Sequence, residues 1–172
     1  MMEIIRNELT AGLPDKTQLV HAIIRLVAAV LLGGLIGWQR ERAGKSAGLR
    51  THILVSLGTT VFVLAAAGSG MSPDGVSRII QGLVTGIGFI GAGAILKLSQ
   101  TREIQGLTTA AGIWITAAIG VTVGLGSLGL ALLSTGLTWF VLTTLSRSEK
   151  TLAAPGPAAV VRPAQSTGSG VP

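Results

Sequence analysis

The chain has 172 residues, 48% hydrophobic and 12% charged, with a mean hydropathy of +0.66. Charges this sparse cannot solvate a globular surface, which leaves a membrane protein of one domain. The net charge of +6 is gathered in short islands, which argues against a nucleic-acid surface, and the lack of cysteine removes disulfides and thiolate metal sites.

The first 18 residues carry Glu3, Glu8 and Asp15 and show no basic stretch ahead of a short apolar core. Residues 1–18 are therefore expected to be a retained extracytoplasmic segment, not a cleaved signal peptide. A first span is expected over Leu19–Trp38, where Ala29, Gly33 and Gly37 recur at every fourth position and offer one small-residue stripe to a neighbouring helix. Arg25 lies about 9 Å into that span by helical rise. Snorkelling to the outer surface explains it better than a substrate role.

A second span is expected over Ile53–Met71, followed by Ser72-Pro-Asp-Gly75, which reads as a turn. The third, Ile79–Lys97, holds Gly82, Gly86, Gly88, Gly91 and Gly93. In water each interior glycine costs about 1 kcal/mol relative to alanine. In lipid the backbone must bond to itself, and missing side chains admit a second helix closely. Glycines on several faces predict a central, tightly packed helix. The sharper alternative is an unwound segment whose carbonyls line a cation path.

Ile104 to Ser146 carries no charge for 43 residues, too long for one crossing of about 20. It divides at Gly124-Leu-Gly-Ser-Leu-Gly129 into spans over Leu107–Val123 and Leu128–Leu145. The fold class expected is thus all-α, a polytopic membrane protein with about five transmembrane helices over residues 19–146. Residues 147–172, rich in proline, glycine and alanine, read as a disordered tail.

With five crossings the basic residues sort into two sets. Arg40, Arg42, Lys45, Arg50, Lys97, Arg102, Arg147, Lys150 and Arg162 fall on one side; Arg6, Lys16, Arg25 and Arg78 fall on the other. The positive-inside bias places the N-terminus outside and the C-terminus in the cytoplasm.

The densest chemistry lies in the first cytoplasmic loop, from Trp38 to His52. Its Gly44-Lys45-Ser46 is not a phosphate-binding loop, because Gln39 stands where that pattern requires glycine and a membrane helix precedes it. Its basic residues suit anionic lipid. Glu41, between Arg40 and Arg42, should pair locally or cross to Lys97 or Arg102 and lock the two loops together. Glu41, Glu103 and Asp74 are too few for a magnesium cage. His21 and His52 read as interfacial polar residues. Gln81, Thr85, Thr108, Thr109 and Thr116 can bond helix to helix. No nucleophile is paired with a base, so neither enzyme activity nor a cofactor is expected.

The loop Arg40-Glu-Arg-Ala-Gly-Lys-Ser-Ala-Gly-Leu-Arg-Thr-His52, the span Gly86-Ile-Gly-Phe-Ile-Gly-Ala-Gly93, and the run Gly106-Leu-Thr-Thr-Ala-Ala111 with Trp114 closely resemble the MgtC/SapB family of bacterial inner-membrane proteins. The resemblance covers roughly Arg25 to Gly126. It implies a multi-pass protein of adaptation to low magnesium, acting by binding other membrane proteins, among them the rotary ATP synthase, more than by moving magnesium. Two departures stand out. The family commonly has glutamate where this chain has Gln39, and the 27 residues after Leu145 leave no room for the soluble ACT-type domain that some members carry.

The leading expectation is a non-enzymatic membrane regulator. Its contact surface would comprise Gln39, Arg40, Glu41, Arg42, Lys45, Gly48, Arg50, Thr51 and Arg102, and its helices would be packed through Gly33, Gly37, Gly82, Gly86, Gly88, Gly91 and Gly93. The expected partners are the bilayer, a membrane protein and a second copy of the chain, and not nucleic acid. The competing expectation is a small magnesium or cation transporter with a polar seam through Gln81, Thr85, Thr108 or Thr109.

Overall fold

A computed structural model describes residues 1–5, 15–97 and 104–152, with side-chain surroundings for 1–5, 15–95 and 105–144. Beyond a helical turn at residues 2–5, five helices follow: α1 (Lys16–Arg42), α2 (Leu49–Gly68), α3 (Pro73–Gly93), α4 (Leu107–Gly124) and α5 (Leu128–Leu152). Four of these are long and apolar enough to cross a bilayer, and α5 adds a shorter apolar stretch over Leu128–Thr144. This is a membrane protein of helices, as expected, with one two-residue β-ladder between α3 and α4. Phe89 is 85% exposed and Leu31 65%, which suits acyl chains as the surrounding solvent.

Local signals set the helix ends. Asp15 Oδ1 accepts from the Gln18 amide at 2.7 Å and starts α1. Ser72 accepts from the Gly75 amide at 3.3 Å, with Pro73 and Asp74 in the first turn of α3. Ser72-Pro-Asp-Gly75 is therefore a helix start and not a free-standing turn, because proline's fixed φ and missing amide suit the first helical position. Consequently α3 begins at Pro73 and stops at Gly93, whereas the expected span ran from Ile79 to Lys97.

Between α3 and α4, Leu96–Lys97 (β1) pairs antiparallel with Ile104–Gln105 (β2), Leu96 opposite Gln105. Gly106, at φ +98, turns this ladder into α4, and any Cβ there would collide with the Ala94 carbonyl. Gly126, at φ +84, turns α4 into α5 within the expected glycine-rich break. Helix α5 continues to Leu152, past the expected boundary at residue 147; the rest of the expected tail, 153–172, lies outside the described residues.

The core sits around α4, with α1, α2 and α5 packed against it and α3 contributing Ile87. One apolar cluster joins Ala29, Leu32, Ile36, Ile119, Val123 and Ala131; a second joins Ala47, Ile87, Ile113 and Ala117. Half of the apolar window of α4 is buried but only 6% of that of α3. The central helix is therefore the fourth, and the third is peripheral.

Candidate functional site

Helices α1, α2 and α4 meet through positions that lack bulk. A Cβ on Gly33 would stand 2.8 Å from the His52 carbonyl oxygen, and one on Gly37 2.7 Å from Leu49 Cα. Across the other face of α2, a Cβ on Gly124 would stand 2.7 Å from Val63 Cβ, and one on Gly120 would collide with Thr59 Oγ1 and the Ser56 carbonyl. Backbone-to-backbone packing of this kind is what small residues permit in lipid.

Gly33 and Gly37 thus pack as expected. The third-span glycines do not. Gly82, Gly86, Gly88 and Gly93 have nothing within 4 Å of a Cβ position, and only Gly91 meets a neighbour, Ala110, at 3.7 Å. Their expected role in packing α3 into the chain's own centre is corrected: α3 turns its glycines away from the bundle and holds α4 with Ile87 and Gly91.

Polar side chains line the resulting seam. Arg40, 3% exposed on the last turn of α1, donates from Nη2 to Thr109 Oγ1 at 3.1 Å and, at the limit of hydrogen bonding, to Thr108 Oγ1 at 3.5 Å. Two turns farther along α4, His52 Nδ1 lies 2.8 Å from Thr116 Oγ1, whose own proton goes to the Gly112 carbonyl at 2.8 Å. Thr116 therefore accepts from His52, which assigns the imidazole proton to Nδ1. Thr60 Oγ1 donates to the Gly120 carbonyl at 2.8 Å and continues the line between α2 and α4. Arg40 Nε, His52 Nε2 and Ser56 Oγ are buried without partners.

Several expectations change here. Arg40 belongs to the interior and not to a contact surface. His52 is fully buried and not interfacial. Gly112 leaves room for both side chains, its Cβ position being 3.5 Å from His52 Cε1 and 3.8 Å from Arg40 Nε, and Gly37 leaves room for His52 from the side of α1. Glu41 forms no local ion pair among the described residues. Its Oε2 accepts from the Leu49 amide at 2.8 Å and caps α2, since the cap residue Gly48 has no side chain to do so.

Arg42 lies over the Trp38 ring, 3.9 Å from its centroid. Gln39 Nε2 donates to the Leu142 carbonyl at 3.2 Å, a bond to α5 that an ionised glutamate could not make. Lys45 and Arg50 are exposed and Thr51 is half-buried. Arg102 and Glu103 lie outside the described residues, as do the surroundings of Lys97.

The expected transport seam does not assemble. Gln81 and Thr85 sit on the exposed face of α3, Thr85 bonding back to the Gln81 carbonyl at 3.0 Å. Thr108 and Thr109 join Arg40 instead. Arg25 is half-buried, and its Nη1 donates to the Gly124 carbonyl at 2.8 Å, which ties α1 to the end of α4. Among the described residues no group of three or more metal-ligating side chains forms. A sequence signal for the missed seam existed in His52, Ser56 and Thr60, with Gly112, Thr116, Gly120 and Gly124, which repeat every fourth residue on their helices.

The MgtC family model matches residues 26–151, the stretch that contains the seam, both packing stripes and the capped loop. The chain belongs to the MgtC family. YhiD of Escherichia coli (strain K12) is 45% identical over 130 residues, 70% of this chain and 58% of YhiD. SrpB of Synechococcus elongatus is 44% identical over 133 residues, 71% of each chain. MgtC of Salmonella typhimurium (strain LT2) is 46% identical over 113 residues, 66% of this chain and 47% of that one. The match thus spans little more than half of YhiD and under half of MgtC. No solved structure matches.

Proposed function

We propose that this MgtC-family chain is a non-enzymatic regulator of the bacterial inner membrane, acting by contact with another membrane protein during magnesium limitation. The observation that carries the reading is the closure of the seam. Thr59, Thr60 and Thr116 give their protons to helix carbonyls, and the helices touch at Gly33, Gly37, Gly120 and Gly124, so the polar line is a packed contact. The contact surface is then the exposed part of the first loop, Arg42, Lys45 and Arg50, held in shape by the Glu41 cap and the Arg42–Trp38 stack. With the N-terminus outside, this loop faces the cytoplasm, where the rotary ATP synthase is the candidate partner.

The test pairs two measurements. Charge reversal at Arg42, Lys45 and Arg50 should leave insertion intact and abolish co-purification of the ATP synthase. Reconstituted protein should take up no magnesium under a gradient. Unchanged co-purification removes this surface as the interface; uptake above that of protein-free liposomes overturns the regulator reading.

The second reading is a magnesium or cation transporter, which the name of the Escherichia coli relative YhiD proposes for that protein. It is favoured by the unpartnered buried atoms of Arg40, His52 and Ser56, and it would route through them, not through α3.

A further inference from the structure

Two helices begin at the loop end of the bundle beside consecutive residues of α1, and they are treated differently. The start of α2 receives a carboxylate, Glu41 Oε2 on the Leu49 amide at 2.8 Å. The start of α4 receives a cation. Its cap residue, Gly106, has no side chain, no side-chain bond closes the first turn, and the Arg40 guanidinium rests on Thr108 and Thr109 within that turn.

A helix start carries about half a positive elementary charge, with its first amides directed outward. Arg40 therefore adds positive charge to positive charge. It is 3% exposed, its Nε has no partner, and among the described residues no carboxylate pairs with it. Burying a guanidinium against neutral hydroxyls alone is unfavourable. Thr108 is exposed, so the corner is accessible from outside the bundle.

We infer that this corner binds a phosphate oxyanion, held by the Arg40 guanidinium, the Thr108 hydroxyl and the first-turn amides of α4. A helix start joined to an arginine is a ready arrangement for tetrahedral oxyanions, because donors converge from several directions. Position supports the same chemistry. Arg40 lies two residues from the end of a membrane-spanning helix, at the level where a bilayer places its headgroup phosphates. The source is a lipid phosphodiester or a free phosphate.

The experiment uses the full chain in a neutral detergent, with inorganic phosphate, phosphatidylglycerol and acetate as probes at matched ionic strength. Binding is read by phosphorus NMR line broadening and by native mass spectrometry of retained lipid. Arg40→Gln should weaken phosphate binding about tenfold or more, the worth of a hydrogen bond to a charged group. Lys45→Gln, on the same face, should not.

Displacement of inorganic phosphate by phosphatidylglycerol identifies the lipid as the source; retention of phosphate against it identifies the free ion. Both support the site. Should Arg40→Gln fail to fold, Thr108→Ala with Thr109→Val keeps the guanidinium and should still weaken binding. Equal binding by wild type and both variants overturns the inference, as does acetate binding as tight as phosphate.

Discussion

Gly37 and Gly86 both lie in spans that read from sequence as packed through glycine, yet the fold predicts opposite responses to one added methyl group. In Gly37→Ala the new Cβ would stand 2.7 Å from Leu49 Cα and 3.0 Å from the Leu49 carbonyl oxygen, where ordinary contact begins at 3.4 Å. Both obstructing atoms are backbone, so no rotamer relieves them, and α1 and α2 must part by the better part of an ångström. Overpacking of this kind costs about 1–3 kcal/mol. At about 2–4 °C per kcal/mol for a chain of this size, the midpoint should fall by about 2–12 °C. Gly86→Ala meets nothing within 4 Å and exchanges glycine for the best helix former, so its midpoint should hold or rise. Thermal unfolding in detergent followed by far-ultraviolet circular dichroism measures both. A Gly86→Ala midpoint lower than that of Gly37→Ala would refute the assignment of the packed and free glycine faces.

Arg25→Leu should destabilise by about 1.5–3 kcal/mol in the same assay, because the Gly124 carbonyl loses a charge-assisted bond; an unchanged midpoint would mean that the arginine was free. His52→Ala should cost about 2–4 kcal/mol through the lost bond to Thr116 and the cavity left between α2 and α4. Combining it with Thr116→Val in a double-mutant cycle should reveal a coupling of at least about 0.5 kcal/mol, and strict additivity would rule out the shared bond.

The number of helices and the break at Gly124–Gly129 were legible because hydropathy and glycine turns are local properties of the chain. Gly33 and Gly37 were legible too, as a single stripe on one helix. What sequence could not rank was α3 against α4. Both are rich in small residues, and which one becomes central depends on the neighbours that the loops deliver. Glycine on several faces of α3 signalled freedom of approach but not its direction.

His52 and Arg40 were misplaced for a related reason. A charged or titratable residue near a span's end defaults to the interface, and only Gly112, on a helix distant in sequence, makes room for both, with Gly37 admitting His52. Glu41 was read through its charged neighbours, whereas the free amide of Leu49, eight residues on, was the stronger claim on it.

The shallow burial of α3 divides the molecule energetically. Separating α1, α2 and α4 would strip contacts that no lipid tail can reproduce, since acyl chains cannot follow a surface made of backbone. Helix α3 buries only Ile87 and Gly91 fully and is tied at its C-terminal end by the short β1–β2 ladder. Acyl chains therefore border α3 along most of its circumference, whereas they reach α4 on few sides.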